Sequence, residues 1–355
     1  MLRIVAEDDI AIRPAGYVLD PSFPSYQDDP FAKLVQHVVP DLGPWIERMR
    51  KELPAAYPAR YALVRDRREL REALPEAEAL VVERLEVGPE ELSLAPRLRL
   101  VLKFGTDLAN IDEAACRSRG VALRCLRRRQ NVAVAEHAFA LMLALAKKLN
   151  AVNGLVTPSR LAEAGKSWGR ITGLLTLQGA TLGLIGFGEI GREVARRAKA
   201  FDMVILYTQR HPAPAQIESE LGASYVPLET LLAASDWISI HTPLNPATQH
   251  MLHAGNLSLL KPGALLINTA RARLVEPAAL HASLREGRLG GAAFDVLYAE
   301  PAVEDDPLLG FDNVILTPHL AGASRWNLFT DLEGILQGIE MAFRRSPAAN
   351  VNLSA

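Results

Sequence analysis

Apolar and polar positions follow two rhythms along this chain, with a less ordered stretch before them. From Arg60, the short apolar runs "ALVVERL" (79–85) and "LRLVLKF" (98–104) predict strands. "DEAACRSRG" (112–120) predicts a helix with Asp112 as its N-cap. The segment Pro14 to Pro58 is rich in Pro, Asp and aromatic residues and predicts irregular surface structure with short helices. "NVAVAEHAFALMLALAKKLNAV" (131–152) is the longest helical signal. It is apolar nearly all round, which predicts burial between domains or between subunits. After a polar loop, "TPSRLAEAGKSWGR" (157–170), six apolar runs recur: "TLGLIGF", "MVILYT", "DWISIHTPL", "ALLINTA", "LGGAAFDVL" and "NVILTPH". Strands spaced by helices of about 10–15 residues imply a parallel sheet with right-handed crossovers, so the fold class is α/β. The helix expected after Ser324 would return to the first domain, because the second unit is complete by His319.

Composition narrows the function classes. A length of 355 residues suggests two domains, each able to bury a core. With 49% hydrophobic and 23% charged residues and a net charge of −2, the chain argues against nucleic-acid or anionic-membrane partners. No apolar run approaches the roughly 18 residues of a membrane span, and "MLRIVAEDDI" lacks the pattern of a signal peptide. Cys116 and Cys125 are the two cysteines, too few for a disulfide framework or a four-cysteine zinc site. A cytoplasmic setting and no metal are the expectations.

The chemistry begins at "GFGEIG". Gly186 permits a tight turn, Gly188 lets the backbone approach a pyrophosphate, and Gly191 lets the following helix pack closely. The amides at that helix start, through Glu189, Ile190 and Gly191, would face the anion. About 20 residues further on, an NAD-binding unit usually carries a carboxylate for the ribose hydroxyls. This chain has Thr208, Gln209 and Arg210 there. A hydroxyl and a guanidinium suit a 2′-phosphate, so NADP(H) is the favoured cofactor and NAD(H) the alternative. Arg271, Asp295, Glu300 and His319 lie in segments following predicted strands, where open α/β sheets bind ligands. A histidine can protonate a forming alkoxide, a carboxylate can hold that imidazole, and an arginine can polarise a carbonyl while gripping a substrate carboxylate. Spacing alone leaves open whether they meet; singly, each also reads as a loop histidine or a solvated charge.

From about Ala62 to about Ser324 the sequence resembles the D-isomer-specific 2-hydroxyacid dehydrogenase family. The matching pieces are "GTDLANID", "NVAVAEHAFALMLAL", "LGLIGFGEIGREVARR", "HTPLNPATQHML", "LKPGALLINTARARLV", "LGGAAFDVLYAEP" and "NVILTPHLAGAS". The resemblance implies a Rossmann-type doubly wound domain over 130–319. It also implies a smaller flavodoxin-like substrate domain from 1–129 and 320–355. Arg271 would be the substrate-binding catalytic arginine, Glu300 the carboxylate paired to the base, and His319 the acid/base. Asp295 would face the nicotinamide carboxamide, with Thr242, Pro243, Thr269, Ala270 and Gly322 as smaller cofactor contacts. Gly105 and Thr106 match positions whose amides hold the substrate carboxylate, and Lys103 would add positive charge. A homodimer joined through the helix around Asn131 to Leu149 is also implied.

Departures from the family pattern are local. Asp107 and Ala109 stand where the family has glycine and aspartate, and Arg127, Arg128, Arg129 and Gln130 replace a small-residue turn. The arginines read either as a basic rim for a second anionic group or as a hinge with one arginine tied to a carboxylate. His137 reads as a structural histidine, and the role of His241 stays open. The expected activity is reduction of a small 2-oxoacid of the glyoxylate or hydroxypyruvate type. The alternatives are a dehydrogenase of another small anion, phosphite- or phosphoglycerate-like, and a dinucleotide-sensing corepressor-like interaction protein.

Overall fold

The computed structural model describes residues 1–35, 38–165 and 171–344. The chain forms two compact units, Met1–Gln130 with Ser324–Ala355, and Asn131–Ala323. Both are three-layer α/β structures built on wholly parallel sheets.

The first unit contains β1 (Leu2–Glu7), β2 (Ala59–Val64), β3 (Ala79–Val82), β4 (Leu100–Phe104) and β5 (Ala122–Leu126), in the order β2-β1-β3-β4-β5. One face packs Ile4, Val81 and Leu102 against Trp45, Ile46, Leu332 and Ile339; the other packs Val5, Leu80 and Val101 against Leu70, Leu74 and Cys116. Because β1 sits between two strands and is covered on both faces, it shows no period-2 alternation, which is why the pattern before Arg60 did not disclose it. The helix Leu42–Glu52 buries Leu42, Trp45, Ile46 and Met49, so this part of Pro14–Pro58 is core rather than surface. Arg325–Phe343 crosses the same face, burying Leu328, Leu332, Ile335, Leu336 and Ile339. At 19 residues it is longer than Gln130–Ala146 at 17. The expected long helix stops early because Lys148 adopts φ 52°, beyond which Leu149–Val152 starts a new turn.

The second unit contains β6 (Thr181–Ile185), β7 (Val204–Thr208), β8 (Ala223–Tyr225), β9 (Trp237–Ile240), β10 (Ala264–Asn268), β11 (Leu289–Phe294) and β12 (Val314–Leu316). Their order is β12-β11-β10-β9-β6-β7-β8, so the strand order reverses beside β6. Such a switch point opens a crevice at the carboxyl edge. Ile185 pairs with Thr208 and Ile240, Asn268 with Ile240 and Phe294, and Phe294 with Leu316. One register line therefore ends six strands together and sets Gly186, Gln209, His241, Thr269, Asp295 and Thr317 along one edge. Within this unit Ala135, Ala138, Phe139 and Met142 of the Gln130–Ala146 helix pack against Leu182, Leu184 and Val194. The expected polar loop at 157–170 contains a helix, Pro158–Glu163, capped by Thr157 and started by proline; residues 166–170 lie outside the described residues. No helix among the described residues is long and apolar enough to cross a membrane.

Candidate active site

The glycine turn joins β6 to the helix Glu189–Ala200. Gly186 has φ 100°, and a Cβ there would lie 2.5 Å from the His241 carbonyl oxygen, so glycine is required by both conformation and space. A Cβ at Gly191 would lie 2.2 Å from the Gly186 oxygen, which is how the helix closes on its own turn. Gly188 is different: nothing lies within 4 Å of its Cβ position, and it caps the helix without a side-chain bond. An open approach to the first-turn amides of Glu189 and Ile190, at the positive end of a 12-residue helix, suits an anion such as a pyrophosphate. Asn131 Nδ2 donates to the Glu189 carboxylate, fixing that side chain.

The Gly186 amide donates to the Thr208 carbonyl at 2.9 Å, so the end of β7 lies directly beside the turn. Thr208 and Gln209 are half-buried and Arg210 is exposed. Gln209 Nε2 donates to the His211 carbonyl at 2.7 Å and stiffens this corner. The end of β7 beside the glycine turn thus carries the Thr208 hydroxyl and the exposed Arg210 guanidinium.

Further along the edge, Thr242 and Pro243 follow β9, and Pro243 accepts from Thr248 Oγ1 at 2.7 Å. His241 shares a 2.8 Å hydrogen bond with Ser239 Oγ through Nε2, and burial pushes its imidazole down to about 3. It stays neutral across the physiological range and is no proton carrier there. Its Nδ1 and the Thr269 Oγ1 are buried without partners. Two unsatisfied polar atoms beside the glycine turn fit a site completed by a polar ligand. Ala270 N donates to Asn268 Oδ1, and Gly322 has room beside Val134.

Glu300 and His319 meet. His319 Nδ1 lies 2.7 Å from Glu300 Oε2, and Glu300 Oε1 accepts from the Leu297 amide at 2.9 Å. The bond to His319 comes first among the causes that hold the Glu300 carboxyl below its ordinary range, and the Arg271 charge adds to it. The carboxylate therefore stays ionised and available to an imidazolium. Arg271 is exposed, with Nη1 donating to the neighbouring Ala270 carbonyl at 2.6 Å. Its guanidinium keeps donors for a bidentate anion.

His319 has φ 51°, the left-handed region that non-glycine residues rarely adopt. Asp295 holds it there. This fully buried carboxylate accepts from Thr317 Oγ1 at 2.6 Å, Leu320 N at 2.9 Å and Ala321 N at 2.8 Å, while its carbonyl accepts from His319 N at 2.8 Å. Burial raises the Asp295 carboxyl, but these bonds and His137 outweigh it and bring it below the ordinary value. His137 Nε2 sits 3.1 Å from Thr317 Oγ1 and 3.4 Å from Asp295 Oδ1, a structural partner rather than an isolated core histidine. No local sequence pattern signals this clamp, because His137 and Asp295 stand in segments far apart along the chain.

In the first unit, Lys103 is buried, its ammonium donating to Asn110 Oδ1 at 2.8 Å and to the Glu83 carbonyl, and burial lowers its pKa. It serves the sheet edge rather than presenting an exposed charge. Gly105, at φ 124°, donates its amide to the Leu126 carbonyl at 2.8 Å. Of the two amides expected to hold a substrate carboxylate, that of Gly105 is thus committed within the sheet, beside Thr106. Arg128 pairs with Glu83 and lies 5.0 Å over the Phe104 ring, so one arginine of the run is tied to a carboxylate within the first unit. Among the described residues no group of three or more His, Cys, Asp or Glu could hold a metal ion.

The family model of the D-isomer specific 2-hydroxyacid dehydrogenase, NAD binding domain, matches residues 139–321. The glyoxylate reductase of Thermococcus litoralis is 38% identical over 240 residues, covering 67% of this chain and 72% of that protein. The D-3-phosphoglycerate dehydrogenase of Archaeoglobus fulgidus is 36% identical over 241 residues, covering 68% of this chain and 44% of that one. Among solved structures, a glyoxylate reductase from Paecilomyes thermophila superimposes with a TM-score of 0.59 at 25% identity, covering 97% of this chain and 96% of that one. The glycine turn, the carboxyl-edge site and these likenesses agree: the chain belongs to the D-isomer-specific 2-hydroxyacid dehydrogenase family, oxidoreductases that use a nicotinamide dinucleotide.

Proposed function

We propose that this dehydrogenase reduces a small 2-oxoacid of the glyoxylate or hydroxypyruvate type to the D-2-hydroxyacid, using NADPH in preference to NADH. The observation that carries the proton chemistry is the 2.7 Å contact between His319 Nδ1 and Glu300 at the carboxyl edge of the sheet. When bound, the reduced nicotinamide supplies the hydride. Arg271 grips the substrate carboxylate and polarises the adjacent carbonyl. His319 presents Nε2 to the carbonyl oxygen and gives it a proton as negative charge develops, while Glu300 holds the ring through Nδ1 and balances the imidazolium. Asp295 keeps the loop carrying His319 in its left-handed turn. The Gly188–Gly191 helix start takes the pyrophosphate, and Thr208 with Arg210 takes the 2′-phosphate.

A phosphorylated 2-hydroxyacid is the second reading, favoured by the likeness to the Archaeoglobus phosphoglycerate dehydrogenase. A panel of 2-oxoacids assayed with both coenzymes separates the two. The expectation is highest kcat/KM for glyoxylate or hydroxypyruvate with NADPH. A preference for the phosphorylated substrate would displace the first reading, and a clear preference for NADH would end the coenzyme assignment.

A further inference from the structure

Tyr207 lies one residue before the proposed ribose corner, and its side chain reaches two places that a coenzyme would touch. Its ring is fully buried and stacked on Phe187, with centroids 4.0 Å apart and planes 19° from parallel. Phe187 is the residue between Gly186 and Gly188, so the ring rests on the pyrophosphate turn itself. The Tyr207 hydroxyl points the other way: it donates to Glu218 Oε1 at 2.6 Å and accepts from the Ala213 amide at 2.7 Å. Ala213 ends the stretch Gln209–Pro212, and Glu218 stands in the helix Ala215–Leu221 that follows. Burial and the Glu218 carboxylate push the phenol up to about 12, so its proton stays on and its donor and acceptor roles do not exchange near neutrality.

We infer that Tyr207 is a positioning residue for coenzyme selection: a strut whose ring bears on the glycine turn and whose hydroxyl pins the far end of the Thr208–Ala213 loop. The segment carrying Gln209 and Arg210 is held at both ends, by the Gly186 N to Thr208 O bond and by the Ala213 N to Tyr207 Oη bond. A guanidinium on a flexible tether gains little from a 2′-phosphate, because binding must first order the loop; a pinned loop has already given up that entropy. The hydroxyl is therefore expected to favour the coenzyme that uses the loop and to leave the pyrophosphate contacts unchanged. This inference rests on the assignment of Thr208 and Arg210 to a 2′-phosphate.

The test is Tyr207→Phe, which keeps the stacked ring and removes only the hydroxyl. Isothermal titration with NADPH and with NADH reads the effect without turnover, and thermal unfolding checks the fold. The Kd for NADPH is expected to rise about tenfold, equivalent to about 1.4 kcal/mol, with NADH changed by less than about twofold. In the wild-type background Glu218→Gln, which keeps an oxygen for the phenol proton, should retain near-wild-type selectivity. If Tyr207→Phe does not fold, Glu218→Ala tests the same strut from its other end and should weaken NADPH selectively, by a smaller factor. Equal weakening of both coenzymes, or no weakening of NADPH, would overturn the inference. A wild-type protein that binds NADH more tightly marks failure of the 2′-phosphate assignment instead. The strut is then judged by whether Tyr207→Phe weakens NADH but spares nicotinamide mononucleotide, which does not reach the loop.

Discussion

Replacing Gly188 by alanine separates the demands of the fold from those of the ligand. Its backbone, at φ −75° and ψ −157°, lies where any residue can go, and an added Cβ meets no protein atom within 4 Å. The substitution should therefore leave the melting temperature unchanged. The same methyl group points into the open approach to the helix start, where it would hold a phosphate away from the first-turn amides. Weakening one charge-assisted amide–phosphate bond costs about 1.5–3 kcal/mol, so Kd for the coenzyme should rise about 10- to 100-fold. Gly191→Ala is the contrast. Its Cβ would sit 2.2 Å from the Gly186 oxygen, about 1.2 Å inside ordinary contact, and a backbone atom cannot step aside. That variant should lose both stability and coenzyme binding. Isothermal titration paired with thermal unfolding reads both quantities on the same samples. A Gly188→Ala protein that binds the coenzyme as well as wild type would refute this reading of the helix start.

Two further predictions concern single carboxylates. Glu300→Gln removes the charge 2.7 Å from His319 Nδ1 while keeping a hydrogen-bonding oxygen. Steady-state kinetics should show kcat reduced by about 10- to 100-fold with KM little changed, and an unaltered kcat would remove Glu300 from the proton chemistry. Glu91 is buried between Arg67 and Arg71; burial raises its carboxyl, but the two guanidinium bonds outweigh this and bring it from 4.5 to about 2. A depressed carboxyl stabilises the fold above its unfolded pKa and loses that contribution as pH falls through its folded one. Glu91→Gln should thus cost about 2 kcal/mol at pH 7, allowing for the solvent around both arginines, and converge on wild type between about pH 4.5 and 2. Urea unfolding across that range checks it; a constant difference would contradict the assignment.

Local rules made much of this protein legible from its sequence. Alternating apolar runs and helical segments specify a parallel sheet, and the spacing of Gly186, Gly188 and Gly191 specifies a turn and a helix start, because each depends on neighbours a few residues away. Glu300 and His319 were legible as candidates for the same reason, each standing in a segment that follows a strand. β1 stayed hidden because burial on both faces erases alternation.

Tertiary structure decided the pairings and the occupancy of donors. The register across β6, β9, β10, β11 and β12 puts Gly186, His241, Thr269, Asp295 and Thr317 on one edge, though they span about 130 residues of sequence. Only that register brings Glu300 onto His319 and lets Asp295 and His137 clamp the loop. It was likewise the fold that committed the Gly105 amide to Leu126 and tied Arg128 to Glu83. A sequence states which donors, acceptors and charges exist; which of them remain for a ligand is settled by competition among all the groups that folding brings within reach.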